Sequence, residues 1–160
     1  MNFILYTDGG CSGNKRDAGC RGAWAYVLLD SAKNIIHKDC GTCDNTTNNR
    51  MELNAIISGL TLLSSTHIAF GLPCKLYECV VLTDSKYVVD NFNDYLPEWK
   101  VRRWKKSGGG LVINDDLWKR LDLLIPEFKL VKLQWVKGHA NNEFNVLADL
   151  MVRSVLYPNK

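Results

Sequence analysis

Residues 46–60 read TTNNRMELNAIISGL, and the spacing of apolar side chains changes within this stretch. Threonine and asparagine dominate its first half, whereas apolar residues recur in the second half at the intervals of one helix face. That face comprises Leu53, Ile56, Ile57, Leu60 and Leu63. An amphipathic helix is therefore predicted from about Asn48, directly after a segment with the pattern of a strand.

Short apolar runs on both sides of this helix predict five strands, at residues 3–7, 23–30, 35–43, 76–84 and 130–136. The first three runs follow one another without a helix, which predicts antiparallel pairing. The last two follow helical segments, which predicts parallel strands that enter through crossovers. Further helices are predicted over residues 85–92, from Asn114 to about Phe128, and from about Asn145 to Tyr157. One α/β domain over residues 1–160 is expected, with a five-stranded mixed sheet flanked by helices.

The composition is that of a folded globular chain. It has 160 residues, 46% hydrophobic and 23% charged, with a net charge of +3 that permits a polyanionic partner without requiring one. The amino terminus has no basic leader, and no apolar stretch approaches a membrane span, so a cytoplasmic protein is expected.

Six cysteines invite a zinc or disulfide interpretation: Cys11, Cys20, Cys40, Cys43, Cys74 and Cys79. The spacing of Cys40 and Cys43 resembles a metal knuckle. On an extended segment, however, these two side chains point to opposite faces about 10 Å apart, too far to share one ion. Free thiols are therefore favoured over a zinc site or a disulfide.

Four acidic residues stand where strands end or helices run. Asp8 and Asp84 each follow a threonine at the end of an apolar strand, Glu52 lies near a helix start, and Asp149 lies in the last helix. A lone acid in such a place is usually just solvated, and Glu52 has an alternative role in a capping box with Asn49. Ligands of open α/β sheets gather beyond the carboxyl ends of strands, where four converging carboxylates would repel one another unless cations neutralised them. Oxygen ligands in that number favour Mg²⁺ or Mn²⁺, and paired ions are common in phosphodiester cleavage.

Five motifs in order give the chain a family resemblance: YTDGGCSGN, TTNNRMEL, TDSKYV, WVKGHA and NVLADL. Together they resemble ribonuclease H of type 1 over nearly the whole chain. The resemblance implies a ribonuclease H-like fold and hydrolysis of the RNA strand of RNA/DNA hybrids, leaving 5′-phosphate and 3′-hydroxyl ends. It also implies that Asp8, Glu52, Asp84 and Asp149 bind two divalent cations. His139 would shuttle a proton or aid product release; the alternative is a surface histidine.

The polar start of the quoted stretch has a use in this family. An RNA/DNA hybrid exposes 2′-hydroxyls in a wide, shallow minor groove, where short donors and acceptors distinguish RNA from DNA. Asn48 and Asn49, with Asn14 and the backbone of the Gly9 to Gly13 loop, are similar in position to the family's 2′-hydroxyl contacts. Thr47 and Asn114 resemble a phosphate pocket for the DNA strand. For Arg50, a structural ion pair remains an open alternative to a substrate contact.

A basic segment, residues 99–107 (WKVRRWKKS), follows the fourth predicted strand and its helix. Its five cations are Lys100, Arg102, Arg103, Lys105 and Lys106. A solvated helix face is one interpretation, but cations interleaved with tryptophans also suit a surface that follows a phosphate backbone. Tyr95, Trp104 and Ser107 resemble the family's groove for the DNA strand, so we favour a binding role.

The chain departs from the family pattern in three places. The stretch SGGGLVIN (107–114) lacks lysines, Lys86 stands where many relatives carry an uncharged side chain, and the connection before the fourth strand is long. Two rival functions are a non-catalytic hybrid-binding module and a nuclease or transposase-like enzyme acting on DNA. The first has no need of four clustered acids, and the three asparagines disfavour the second. The expected partner is an RNA/DNA hybrid bound by a monomer, with no membrane and no protein partner required.

Overall fold

The computed structural model describes residues 2–13, 19–69, 74–138 and 142–159. Five strands form one sheet: β1 Asn2–Ser12, β2 Cys20–Leu29, β3 Ile35–Thr46, β4 Glu78–Thr83 and β5 Leu130–Trp135. Their order across the sheet is β3-β2-β1-β4-β5. β1, β2 and β3 pair antiparallel, whereas β4 pairs parallel with both β1 and β5. The predicted five-stranded mixed sheet is confirmed.

The helices cover both faces of the sheet. They are α1 Asn48–Ala69, α2 Lys86–Asp90, α3 Leu96–Val101, α4 Asp115–Leu124 and α5 Glu143–Leu156. Along β1 the side chains alternate between the faces: Leu5 packs with Leu53 of α1, and Tyr6 packs with Ala148 of α5. The central strand is therefore buried on both sides, as expected for a sheet between two helical layers.

The helix predicted over residues 85–92 is longer in the structure. Ser85 caps α2 by accepting the Val88 backbone N–H at 3.3 Å, and a π-helical segment, Asn91–Tyr95, then continues directly into α3. Pro97 is accommodated in the first turn of α3, where its missing N–H costs no hydrogen bond. Helical structure therefore reaches the basic segment without a break.

The structure does not support the alternative in which Asn49 caps the helix. Thr47 is the residue that caps α1, because its Oγ1 accepts the Arg50 N–H at 3.3 Å and its carbonyl accepts the Met51 N–H at 3.1 Å. Asn49 already lies inside the helix. Glu52 is consequently not the partner of a capping box, and its carboxylate is left for another role.

The prediction of free thiols is wrong for one pair. Cys11 and Cys20 form a disulfide between β1 and β2, with their Cα atoms 5.6 Å apart. Cys40, Cys43 and Cys79 are free. Within the described ranges, no cysteine belongs to a group of side chains close enough together to bind one metal ion. These residues therefore give the zinc alternative no support. Nor do the described helices include one that is both long and apolar enough to cross a membrane.

Candidate active site

Two neighbouring parallel strands bring two of the predicted acids together. Thr7 of β1 lies opposite Thr83 of β4. Asp8 and Asp84 are the residues that directly follow these two threonines. Glu52 reaches the same place from the second turn of α1. Ligand oxygens of these three carboxylates all lie within 4.8 Å of one another, close enough to share one metal ion.

Two glycines allow this close approach. A Cβ atom added to Gly9 would collide with the main chain of Met51 and Glu52, including the Met51 carbonyl oxygen at 2.7 Å. Only a residue without a side chain lets β1 pass this close to α1 immediately after Asp8. A Cβ on Gly138 would lie 2.8 Å from the Asp84 Oδ2 atom, so the segment after β5 presses on the cluster in the same way.

Burial makes this cluster costly to ionise. Burial, followed by the negative charges of Asp84 and Asp149, raises the pKa of Asp8 from 3.8 to about 7. Burial likewise raises the pKa of Glu52 well above its ordinary value, with Asp8 and Asp84 adding to the effect. The cluster therefore holds protons near neutral pH when no cation neutralises it.

An unsatisfied oxygen shows that the cluster fits a cation. Glu52 is only 7% exposed, and its Oε2 atom is fully buried with no hydrogen-bond partner among the described residues. Such an atom normally costs about 1–3 kcal/mol unless a partner compensates for it. A hard divalent cation held by carboxylate oxygens would supply that partner. The donor set therefore suits Mg²⁺ or Mn²⁺.

Asp149 lies beside the cluster rather than within the 4.8 Å group. A side-chain hydrogen bond with Asp8 joins it to the cluster and contributes to the raised pKa of Asp8. One turn further along α5, the Arg153 Nε atom contacts the Asp149 Oδ2 atom at 3.1 Å. The fourth predicted ligand is thus adjacent to the other three and shares its charge with an arginine.

The structure shows the ion pair that was one of the two alternatives for Arg50. Its guanidinium makes a two-point ion pair with Asp116 at 2.9 and 2.7 Å and also donates to the Asn114 Oδ1 atom at 3.3 Å. The Asn114 amide in turn donates to the Tyr87 hydroxyl at 3.1 Å, and the buried Trp118 indole donates to the same hydroxyl at 3.2 Å. Arg50 is a structural residue that joins the start of α1 to the start of α4.

The polar residues at the start of α1 are arranged as a surface. Asn48 and Asn49 are exposed in the first turn of the helix, and Thr47 caps it. Asn114, held by the Arg50 network, lies at the amino end of α4. Both helix starts present backbone N–H groups, which favour anions such as phosphate.

The basic segment forms one wall of a cavity of about 350 Å³. Residues predicted to contact substrate line much of it: Tyr95, Arg102, Lys105, Lys106 and Ser107. Trp104 and Arg103 are not among its lining residues, and both have left-handed backbone conformations, with φ of 64° and 54°. Two of the five cations are paired with acids, Arg102 with Glu98 at 2.8 Å and Lys100 with Asp122 at 3.2 Å.

Comparison with known proteins decides the family. The sequence model of RNase H matches residues 1–157. The chain belongs to the RNase H family. It is 41% identical to a ribonuclease H of Ehrlichia chaffeensis over 153 residues, which cover 94% of this chain and 92% of the relative.

Solved structures share the same fold. The crystal structure of LC9-RNase H1, a type 1 RNase H with the type 2 active-site motif, superposes with a TM-score of 0.79 at 26% identity. The match covers 99% of this chain and 74% of that one. LC11-RNase H1, solved in complex with an RNA/DNA hybrid, matches with a TM-score of 0.67 at 22% identity over 96% of this chain and 99% of its own.

Not every residue carried over from the RNase H motifs can be placed. Asn14 and His139 lie outside the described residues. The structure also adds two residues that the motifs did not indicate. Arg153 follows Asp149 by one helical turn, a spacing that signals an ion pair, and Lys119 lies 5.8 Å from the centre of the Trp104 ring. Only the first of these had a signal in the sequence.

Proposed function

We propose that this member of the RNase H family is an endonuclease that hydrolyses the RNA strand of RNA/DNA hybrids with two divalent cations. One observation carries the proposal: three carboxylates from β1, α1 and the end of β4 lie within 4.8 Å, with a buried oxygen that lacks a partner. That a relative of the same fold was solved with a hybrid bound supports the choice of substrate. A module that only binds nucleic acid gains nothing from such a charge cluster.

The metal ligands that we propose are Asp8, Glu52, Asp84 and Asp149, and the ions are two Mg²⁺, with Mn²⁺ as a substitute. When bound, such a pair of cations supplies activation of the attacking water and stabilisation of the leaving 3′ oxygen, which leaves 5′-phosphate and 3′-hydroxyl ends. The protein contributes rigid placement, because Asp8 and Glu52 are fixed by main-chain packing at Gly9. Release of the Arg153 ion pair would free Asp149 to act as a ligand.

Recognition of the RNA strand is assigned to the exposed start of α1. The short amides of Asn48 and Asn49 offer both donors and acceptors to 2′-hydroxyls, and Asn14 is proposed to join them. Because duplex DNA lacks these hydroxyls, contacts of this kind select hybrids over DNA. His139 is proposed to move a proton or to assist release of the cleaved strand.

The DNA strand is assigned to the cavity beside the basic segment. Lys105, Lys106 and Arg102 supply positive charge around it, and Tyr95 and Ser107 complete the wall. Trp104, Lys100 and Arg103 are proposed to extend this surface. Thr47 and Asn114, at the starts of two helices, are proposed to hold a phosphate further along the same strand.

The remaining features are also proposals. Residues 1–160 act as one catalytic domain, as a monomer that needs no protein partner, in the cytoplasm. In a reducing cytoplasm the Cys11–Cys20 pair would exist as two thiols.

A cleavage assay tests the function. The RNA strand of a hybrid is labelled and incubated with the protein and Mg²⁺ or Mn²⁺, with duplex DNA and single-stranded RNA as parallel substrates. We expect cleavage of the hybrid alone, and its loss in Asp8→Asn and Asp84→Asn. Hybrid binding without cleavage, together with no uptake of Mn²⁺ by calorimetry, would indicate the non-catalytic module instead. Cleavage of duplex DNA would indicate the DNA-directed enzyme.

A further inference from the structure

Lys86 occupies a corner next to the acid cluster. It is the first residue of α2, two positions after Asp84. Its Nζ atom lies 4.9 Å from the centre of the Trp135 ring, within the range of a cation–π interaction. Such contacts hold a flexible lysine side chain near one point on the surface.

Trp135 is itself held in place by the site. It is the last residue of β5 and lies opposite Thr83 of β4, at the sheet edge that carries Asp84. Its indole N–H donates to the Asp84 carbonyl at 3.1 Å, although 45% of the side chain is exposed. The ring that supports Lys86 is therefore fixed to the backbone of a candidate metal ligand.

Lys86 differs from three cations of the proposed substrate surface in that no carboxylate among the described residues pairs with it. Arg50, Lys100 and Arg102 are paired with carboxylates. Lys86 forms no ion pair in the part of the chain that the structure describes, and an aromatic face positions an ammonium without cancelling its charge. A full positive charge thus stands exposed beside the cluster, free to meet an incoming anion.

We propose that Lys86 binds a phosphate of the RNA strand next to the one that is cleaved, and that Trp135 is its positioning residue. The inference rests on the proposed function. The strand that is cut must pass over Asp8, Glu52 and Asp84, and Lys86 lies at the edge of that cluster. The DNA strand, by contrast, is assigned to the cavity lined by Tyr95. An ammonium offers a point contact to phosphate that does not depend on base sequence.

The first test measures kcat/KM for hybrid cleavage in Mg²⁺ over a range of KCl concentrations. Loss of one phosphate contact should make the logarithmic salt dependence of Lys86→Gln shallower by about 0.9. At the lowest salt, its KM should rise about 3- to 10-fold, and by more than kcat falls. Lys86→Arg should restore most of the wild-type slope, and Trp135→Phe should retain more affinity than Trp135→Leu because it keeps a ring.

Lys75→Gln is the matched control. Lys75 is exposed and precedes the amino end of β4, whereas Asp84 follows the carboxyl end of the same strand. The substitution removes the same charge at the opposite end of the sheet. We expect Lys75→Gln to keep the wild-type salt slope. If the slope changed equally in Lys75→Gln and Lys86→Gln, the loss of net charge alone would explain the effect and the inference would be overturned.

The second test locates the phosphate. Single uncharged methylphosphonate linkages are placed in the RNA strand on either side of the cleaved bond. One of them should lower kcat/KM for wild-type protein and Lys86→Arg, and it should have little further effect on Lys86→Gln, because the contact is already lost. Equal losses in all three proteins at every position overturn the inference. If the hybrid is cleaved but Lys86→Gln keeps the wild-type salt slope, the inference about Lys86 is overturned and the proposed function stands. If the wild-type protein does not cleave the hybrid, both are overturned.

Discussion

The acid cluster and the cavity beside the basic segment are built in opposite ways. In the cluster, Asp8 and Glu52 are each 7% exposed, and main-chain contacts at Gly9 fix their separation. Beside the cavity, Tyr95 is 49% exposed, and Arg102 lies on the surface in an ion pair with Glu98. The chemistry that we propose for the cluster would depend on a few rigidly held groups, whereas the binding that we propose for the cavity would be a sum of weak contacts. Substitutions should therefore have steep effects in one region and graded effects in the other.

The largest effect should come from the cluster. Asp8→Asn keeps the shape of the side chain but removes the charge of a proposed metal ligand, so single-turnover cleavage should fall at least about a thousandfold. Hybrid affinity in the same variant should change by less than about threefold, since the cavity is intact. Rapid-quench kinetics and fluorescence anisotropy measure the two quantities.

The matched control for Asp8→Asn is Asp30→Asn, an acid in the turn between β2 and β3 at the other end of the sheet. Its cleavage rate should remain within about twofold of wild type, because the variant changes charge without touching the metal ligands. If the cleavage rate of Asp8→Asn fell as little as that of the control, the cluster would not be the catalytic site.

The next largest effect should be on the free energy of unfolding of the metal-free protein, which should depend on pH. The pKa of Asp8 is about 7 in the folded protein and close to 3.8 when unfolded, so the folded state retains a proton that the unfolded chain has lost between these values. The contribution of Asp8 to the free energy of unfolding therefore decreases as pH rises through this window, by at most about 4 kcal/mol. In EDTA, Asp8→Asn should be more stable than wild type at about pH 8 and similar near pH 4.

Urea unfolding at several pH values tests this linkage. Addition of Mg²⁺ at about pH 8 should stabilise wild type and have less effect on Asp8→Asn, because metal binds the folded cluster. If the stability difference between the two proteins did not vary with pH, the carboxylates would have to be ionised and compensated in some other way.

A smaller effect is expected from the cross-strand disulfide. Cys11 and Cys20 are nine residues apart in sequence, and closing so short a loop should contribute about 2–3 kcal/mol in the chain-entropy account. The double variant Cys11→Ser, Cys20→Ser should lose that much in denaturant unfolding but keep its Mg²⁺-dependent cleavage. Asp8 should hold its place through Gly9 and the pairing of β1 with β4.

Reduction of the wild-type protein should reproduce the loss of stability, whereas the thiol of Cys43, exposed on β3, can be replaced by serine at little cost. Loss of cleavage together with stability would mean that the cluster depends on the disulfide and is less self-supporting than its packing indicates.

The smallest and most graded effect should come from the cavity. Lys105→Gln with Lys106→Gln should weaken hybrid binding about tenfold at low salt and reduce the logarithmic salt slope by about 1 to 2. Arg103→Gln, next to the cavity but not in its lining, should change affinity by a smaller factor, about threefold. Cleavage at saturating protein should survive in both. Equal losses would place the DNA strand outside the cavity.

The fold and the clustered acids were predictable because both follow from patterns in short stretches of the sequence. Asp8 and Asp84 each follow an apolar run that ends in threonine, and the change of period at Asn48 places Glu52 on a helix. The predicted strand end at residue 7 is wrong, however, because β1 continues past Asp8 to Ser12 by pairing with β2. Parallel pairing of neighbouring strands then brings the acids to one edge. Each of these steps uses a short stretch of sequence and a general rule of topology.

The features that were missed depend on distant partners or on exact backbone geometry. The disulfide depends on how β1 pairs with β2: Cys11 lies opposite Gly22, so Cys20 is two residues past the register partner of Cys11, and apolar spacing cannot indicate this geometry. An ion pair was one of two alternatives for Arg50, but its partner, Asp116, could not be named because it lies 66 positions away. Choice of Thr47 rather than Asn49 as the cap depends on where the backbone first turns helical, and either residue type can serve there.

The central position of β1 in the sheet determines how much of the chain must be synthesised before the acid cluster can form. Asp8 is synthesised early, whereas β4, the strand beside β1 in the sheet, follows about seventy residues later, and Asp149 lies in α5, the last helix of the described chain. A nascent chain that ends before residue 84 therefore cannot bring the carboxylates of Asp8 and Asp84 together. The cations that we propose for this site would therefore bind only a nearly complete polypeptide, so their binding would follow the pairing of β1 with β4 and would not nucleate folding.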